Sequence, residues 1–337
     1  MKLIATIPLC FAVFISCAQT ANLPDSLQSY IDTVISVLQK KSLYRKEANW
    51  AAVRDSTNEI VSNAKNIHEL MPAVSYIFTA IGDYHGGLFY KDKRYGMKNK
   101  HVDVRLELAE GMKAGAKVRT EILNSKYAYV FIPPIRALTV AETTKYAQQI
   151  QDSVCKLNQA EIDGWIIDLR LNLGGNMYAM IGGLGNIIGD GSLGAFVDPD
   201  GKKTTWFLKD GDAYEGGKRW THIERKCKLA GTPKVAVLIS QITASSGEAL
   251  AISFKGRPST KFFGESTSGY ISANDDPYFI DNNSMLLVAS ANMADRNDNL
   301  YLESVQPDLI MVEGDNFTDL KKDLKIRAAL EWLKRTK

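Results

Sequence analysis

Three short stretches of chain are almost wholly apolar: Tyr127–Ile132, Gly164–Leu169 and Val235–Ile239. Their length, and the turn residues around them, fit strands buried inside a sheet. Pro133-Pro134 stops the first, because proline cannot donate to a ladder. A fourth strand begins at Lys261-Phe262-Phe263-Gly264. Ile150, Val154 and Leu157 mark a helix between the first two strands, and another is expected from Ser246 to Lys255. Strands that alternate with helices in this way specify an α/β architecture.

The chain before this region has a different period. Leu27, Ile31, Val34, Ile35 and Leu38 fall on one helical face. Trp50, Val53 and Ile60 suggest a second helix, and Leu70, Val74, Ile77, Phe78 and Ile81 repeat the first pattern. Pro72 is tolerable there in a first turn. An N-terminal helical bundle is therefore expected over 22–87 and an α/β core over 88–337. Val102, Val104, Leu106 and Leu108 alternate with Asp103, Arg105 and Glu107, the period of a half-buried strand. A final strand is expected at Leu309–Val312 and a charged amphipathic helix from Asp319 to Lys337.

Met1-Lys2 leads into an apolar stretch from Leu3 to Ile15, followed by Ser16-Cys17-Ala18. One positive charge, a short apolar segment and small residues at its end make a secretory signal over 1–17. The stretch is too short to span a bilayer comfortably. Ser16-Cys17 resembles a bacterial lipoprotein cleavage site with Cys17 lipidated; cleavage after Ala18 is the alternative. Either route exports the mature protein to the periplasm or cell envelope, where a lipid on Cys17 would be its membrane contact. Cys155 and Cys227 are then free to pair, which sequence alone does not decide.

Several classes are excluded by composition. Hydrophobic residues are 45% and charged residues 23%, the balance of a soluble globular chain. Net charge is +3 with lysines and arginines scattered, so no nucleic-acid stripe is present. The cysteines form no CxxC pair, and His68, His85, His101 and His222 form no HExxH, so no metal is expected. Gly183, Gly185 and Gly189 are spaced GxGxxxG with no strand before them, which does not make a dinucleotide loop; no cofactor is expected.

Four segments carry chemistry. Thr243-Ala244-Ser245-Ser246-Gly247-Glu248 follows a buried strand and opens a helix. A serine at such a turn is exposed, and the helix start offers unpaired amides to a developing negative charge. The same residues also read as a capping box from Ser245 to Glu248. Asp168-Leu169-Arg170-Leu171-Asn172-Leu173-Gly174-Gly175 runs a strand into a glycine pair, which can aim amides at an oxyanion. It equally reads as a turn with Asp168 and Arg170 as a structural ion pair. Asp83-Tyr84-His85-Gly86-Gly87 places a histidine among glycines, either a general base or a satisfied surface residue. Glu303 precedes Val305-Gln306-Pro307-Asp308 and by itself reads as a surface carboxylate.

Taken in order, these segments, with Gly264-Glu265-Ser266-Thr267-Ser268-Gly269, resemble the serine peptidases of family S41 from about residue 81 to 312. The resemblance implies a crotonase (ClpP)-like spiral α/β core. It also implies Ser245 as nucleophile. The processing-protease subgroup pairs its serine with a lysine, but counting from Ser245 puts Tyr270 at that position, and Lys255 and Lys261 precede it. The tricorn-like subgroup uses a histidine and a glutamate linked by a further hydroxyl. That pattern implies His85 as base and Glu303 as orienter, with Tyr84 the adjacent hydroxyl. Gly174, Gly175 and Ser246 would supply the oxyanion amides. The span between His85 and Tyr127 is shorter than a PDZ domain needs, so the helical bundle must help shape the substrate site.

The resulting expectation is an exported serine hydrolase, a peptidase acting on a peptide or protein through an acyl-enzyme. The rival reading is a binding protein on the same fold with little or no catalysis.

Overall fold

The computed structural model describes residues 23–98, 103–113, 115, 117–158, 161–229 and 231–335. The expected leader lies outside them. Among the described residues no helix is long and apolar enough to cross a membrane.

Helices α1 (Asp25–Lys41), α2 (Trp50–Val61) and α3 (Ile67–Ile81) open the chain. Asn49 and Asn66 start the second and third by accepting the Ala52 and Glu69 amides. Ile60 faces solvent, and the buried stripe of α2 is Val53, Thr57 and Val61. Pro72 sits in the second turn of α3 rather than the first, because Asn66 starts the helix early. The His68 carbonyl thereby loses its helical donor. The helix persists because Leu70, Val74, Ile77 and Phe78 are fully buried.

Strands β1 (Gly87–Tyr90) and β2 (Lys93–Tyr95) follow, then α4 (Leu106–Lys113). The strand expected over 102–108 is replaced by this helix; Val102 lies outside the described residues. Val104 and Leu106 are exposed, whereas Leu108 and Gly111, one helical step apart, are buried. Gly111 packs so closely on Phe317 and Leu171 that a side chain would not fit. Tertiary contact selected the helical period over the alternating one.

The core continues through β3 (Arg119–Leu123), β4 (Tyr127–Phe131), α5 (Val140–Leu157), β5 (Gly164–Asp168), α6 (Met177–Gly183) and α7 (Gly185–Ile188). A meander follows: β6 (Gly191–Val197), β7 (Lys203–Lys209), β8 (Asp212–Glu215) and β9 (Lys218–Arg219). Next come β10 (Lys234–Ile239), α8 (Ser246–Phe254), β11 (Thr260–Gly264), β12 (Ser272–Asn274), β13 (Tyr278–Asp281), β14 (Ser284–Leu287) and β15 (Ala289–Asp295). Strands β16 (Leu300–Tyr301) and β17 (Leu309–Ile310) and helix α9 (Leu324–Lys334) complete it.

The central sheet has the order β17-β11-β10-β5-β4-β3 and is parallel except for β3. Its inner strands β4, β5 and β10 are almost wholly apolar because both of their faces are covered. Val130, Ile167 and Val237 face α5, α6 and α8, while Tyr129, Ile166 and Leu238 face α9. The glycines at 183, 185 and 189 serve packing: a side chain on Gly183 would strike Ile150 of α5.

Two further sheets flank this core. One, β13-β14-β1-β2, lies on the helices, and Leu88, Tyr90, Leu286 and Val288 complete the helical core. The other, β12-β15-β6-β7-β8-β9, begins where β14 runs on into β15. A late segment of chain thus connects the N-terminal helices to the α/β core, and the turn carrying His85 is anchored at that junction through Asp83, which accepts the Ala289 amide. Cys155 on α5 is disulfide-bonded to Cys227, with their Cα atoms 5.5 Å apart.

Candidate active site

The C-terminal ends of β5 and β10 lie side by side, the usual place for ligands on a parallel sheet. From β5 the chain turns through Gly174 and Gly175. From β10 it turns through Ser245 into α8.

Ser245 adopts φ 54° and ψ −120°, a strained conformation for a residue with a side chain. Glu248 accepts its amide at 2.8 Å, the reciprocal arm of a capping box. The Ser245 hydroxyl lies 3.2 Å from Nε2 of His85. The turn thus holds both contacts at once: a capping-box bond to Glu248, and a serine hydroxyl within hydrogen-bond distance of His85.

His85 sits in a turn built by Asp83. Gly82 ends α3 in the left-handed region, and the buried Asp83 carboxylate accepts the amides of His85 (3.1 Å), Gly86 (2.6 Å) and Ala289 (3.1 Å). Arg94 grips the turn from β2, donating to the carbonyls of Tyr84 and Gly86. Burial pushes the imidazole down to about 4, opposed by the Ser272 backbone and reinforced by the Arg94 charge. The ring is thus neutral at ordinary pH, the form a general base requires.

Nδ1 of His85 lies 3.0 Å from the Ser272 hydroxyl. The base function requires the tautomer in which Nδ1–H donates to Ser272 and Nε2 is free to accept from Ser245. Glu303 lines the same cleft but makes no hydrogen bond to the ring among the described residues. Tyr84 is hydrogen-bonded to Tyr44, so its hydroxyl does not supply the link. The hydroxyl beside Nδ1 belongs to Ser272, which β12 brings in by pairing with β15. No local pattern distinguishes Ser272 in the sequence. Tyr270, at the position of the processing-protease lysine, presents its ring edge-on to His85 with centroids 5.3 Å apart. Lys255 binds the Gln306 carbonyl, and Lys261 lies over Phe263.

The oxyanion amides sort themselves by occupancy. Gly174 N–H donates to Asn172 Oδ1 at 2.9 Å. Among the described residues, the Gly175 and Ser246 amides donate to no acceptor, and both residues line the cleft beside Ser245. The Ser246 hydroxyl is committed to the Gly175 carbonyl at 2.6 Å, which fixes the two amides relative to each other. Gly175 has φ +113°, and a side chain there would lie 2.1 Å from the Ile135 carbonyl oxygen. Gly175→Ala is accordingly expected to lower kcat by about two to three orders of magnitude, read in steady-state kinetics on folded enzyme.

Two clefts meet at Ser245 and His85. One, about 710 Å³, runs past Lys41, Arg45, Tyr178, Trp220, Asp275 and Asp276. The other, about 970 Å³, is more apolar, with Phe89, Leu173, Ile242 and Leu302 on its walls and Glu303 at its edge.

The profile of peptidase family S41 matches residues 126–311. A nisin-resistance protein of Lactococcus lactis subsp. lactis is 30% identical over 313 residues, 92% of this chain and 88% of that protein. Among solved structures, a lipoprotein from Streptococcus agalactiae superposes with a TM-score of 0.71 at 23% identity, covering 93% of this chain and 97% of that one. The photosystem II D1 C-terminal processing protease superposes with a TM-score of 0.58 at 14% identity, covering 90% and 97%. With this match of sequence, fold and site, the chain belongs to peptidase family S41 and is a serine-type peptidase of α/β fold.

Proposed function

We propose that the protein is an exported peptidase that cleaves peptide bonds through an acyl-enzyme on Ser245. The observation that carries this reading is the 3.2 Å approach of the Ser245 hydroxyl to His85 Nε2, beside two unoccupied amides. His85 takes the serine proton as Oγ attacks the scissile carbonyl, and the Gly175 and Ser246 amides hold the oxyanion. The imidazolium then gives its proton to the leaving amine. Water, deprotonated by the same ring, releases the acyl group. Ser272 keeps the ring in register throughout, and Glu303 lines the cleft in which the substrate lies.

Export is supported by the leader read in the sequence and by the Cys155–Cys227 disulfide, a bond that persists in oxidising compartments. Lipidation at Cys17 would hold the enzyme at the envelope. The Lactococcus relative is named for resistance to nisin, which makes nisin the first substrate to test.

The test is labelling with a fluorophosphonate followed by peptide mapping. Label on Ser245, absent in Ser245→Ala, is the expected result. Label on Ser246 would move the nucleophile by one residue. Folded protein that takes no label and cleaves no peptide would favour the binding-protein reading.

A further inference from the structure

Glu248 is fully buried one turn into α8, and the acyl transfer described above does not use it. Its two oxygens meet donors from two different segments. Oε2 accepts the Ser245 amide at 2.8 Å. Oε1 accepts the Thr267 hydroxyl at 2.5 Å and the Gly269 amide at 2.8 Å. The Thr267 oxygen in turn accepts the Val305 amide at 2.8 Å. The segment fixed by these bonds ends in Tyr270, whose ring rests against His85 and Tyr84. One carboxylate therefore ties the strained nucleophile to the wall of the base.

We propose that Glu248 is a positioning residue for the peptidase site, and that its protonation, rather than that of His85, switches the enzyme off in acid. The proposal rests on the assignment of Ser245 and His85 above. A protonated carboxyl must carry its hydrogen on one oxygen, and each oxygen here already faces a donor. Protonation turns one of them into a neutral hydroxyl oxygen, a weaker acceptor than a carboxylate oxygen for the donor it faces. With the proton on Oε2, the Ser245 amide loses the charged acceptor that holds its φ of 54°; with the proton on Oε1, the 267–270 segment loses it.

The titrations are well separated. Burial pushes Glu248 up to about 7, against the bonds from Thr267 and from the Gly269, Ser245 and Tyr270 backbone. Burial pushes His85 down to about 4. The titratable groups facing Glu248 are Tyr84 from the 82–86 turn and Tyr270 from the 267–270 segment, both kept neutral by burial. Helix α8 carries no other ionisable side chain. Asp83 and Arg94 act on those tyrosines.

The experiment is the rate of fluorophosphonate labelling of Ser245 from about pH 5 to about pH 9, alongside melting temperature over the same range. The parent should lose labelling about thirtyfold between about pH 8.5 and about pH 5.5, with its midpoint near 7. Glu248→Gln should label at least about tenfold more slowly at high pH and show no midpoint near 7. Glu248→Asp should restore a midpoint, and Thr267→Val, which removes a donor, should move it upward. Stability gives a readout free of catalysis. A carboxyl raised from its unfolded value of about 4.3 to about 7 stabilises the fold below that window and loses this contribution as pH rises through it. The melting temperature of the parent relative to Glu248→Gln should therefore fall from about pH 5 to about pH 7, with His85 common to both. A parent midpoint near 4, or a midpoint near 7 that survives in Glu248→Gln, overturns the proposal while leaving the peptidase reading intact. No labelling of Ser245 at any pH sinks the nucleophile assignment and the proposal with it.

Discussion

His85→Ala is expected to lower kcat by about five to six orders of magnitude, close to the loss in Ser245→Ala. In the proposed mechanism the two residues act as one unit, since a serine is a weak nucleophile without a base, here the ring 3.2 Å away. The double variant should therefore be no worse than either single one. What remains is about three to four orders of magnitude above the uncatalysed reaction, from the oxyanion amides and substrate binding. The measurement is steady-state peptide cleavage by all three variants, with circular dichroism to show that each is folded. A loss in His85→Ala of tenfold or less would remove the histidine from the mechanism.

Ser272→Ala separates orientation from chemistry. The orienter here is a neutral hydroxyl, and the Ser272 backbone also reaches the ring. The expected loss is about tenfold to a hundredfold, the value of one hydrogen bond to the ring in its charged, imidazolium form, about 1.5–3 kcal/mol. A carboxylate orienter would be worth far more, because it would also stabilise the imidazolium. Without such a charge, the ring remains a weak base, in keeping with its depression to about 4.

The central strands were legible because burial on both faces leaves no room for polar residues, and the glycine and serine turns follow directly from those strands. The N-terminal helices were legible through their stripes. What was not legible depends on residues distant in the chain. The segment around Leu106 has a strand's alternation, but contact of Gly111 with Phe317 makes it a helix. Ser245, His85 and the glycine pair came from motifs, each next to a regular element. Ser272 is 187 positions from His85, and only the β12–β15 pairing brings it to Nδ1. Glu303 had the motif that implied an orienter acting directly or through a hydroxyl; Ser272 supplies a hydroxyl at Nδ1, and among the described residues no hydrogen bond joins it to Glu303, which lines the cleft. Glu248 was visible as a cap, but its link to Thr267 and Gly269 required the fold.

Arg170→Met is expected to destabilise the protein by about 3–5 kcal/mol, lowering the melting temperature by about 10 °C. The guanidinium is fully buried and bonds Asp168, Asp315 and Asp323, with its face on Phe317 at 4.6 Å. Asp168 also accepts the Tyr129 hydroxyl, and Asp323 caps α9 through the Ile326 amide. Removing the cation leaves Asp168 and Asp323 buried without it, and Lys325 and Arg105 then serve Asp315 alone among the three. A methionine fills the volume, so the loss measures stranded charge more than a cavity. The pH dependence has a definite sign. Burial raises Asp315, but Arg170 and Lys325 outweigh it and hold the carboxyl below its usual range. A carboxyl depressed in the fold stabilises above its unfolded value of about 3.9, and that contribution is lost as pH falls below it. The parent should therefore lose stability in acid more steeply than Arg170→Met, and the two melting curves should converge as pH drops. Equal stability of the two at neutral pH would show that the network is neutral against an apolar replacement. The expected loss also reaches the site, because Arg170 stands between β5 and the Gly174-Gly175 turn, so a displaced α9 should slow Ser245 labelling even in protein that remains folded.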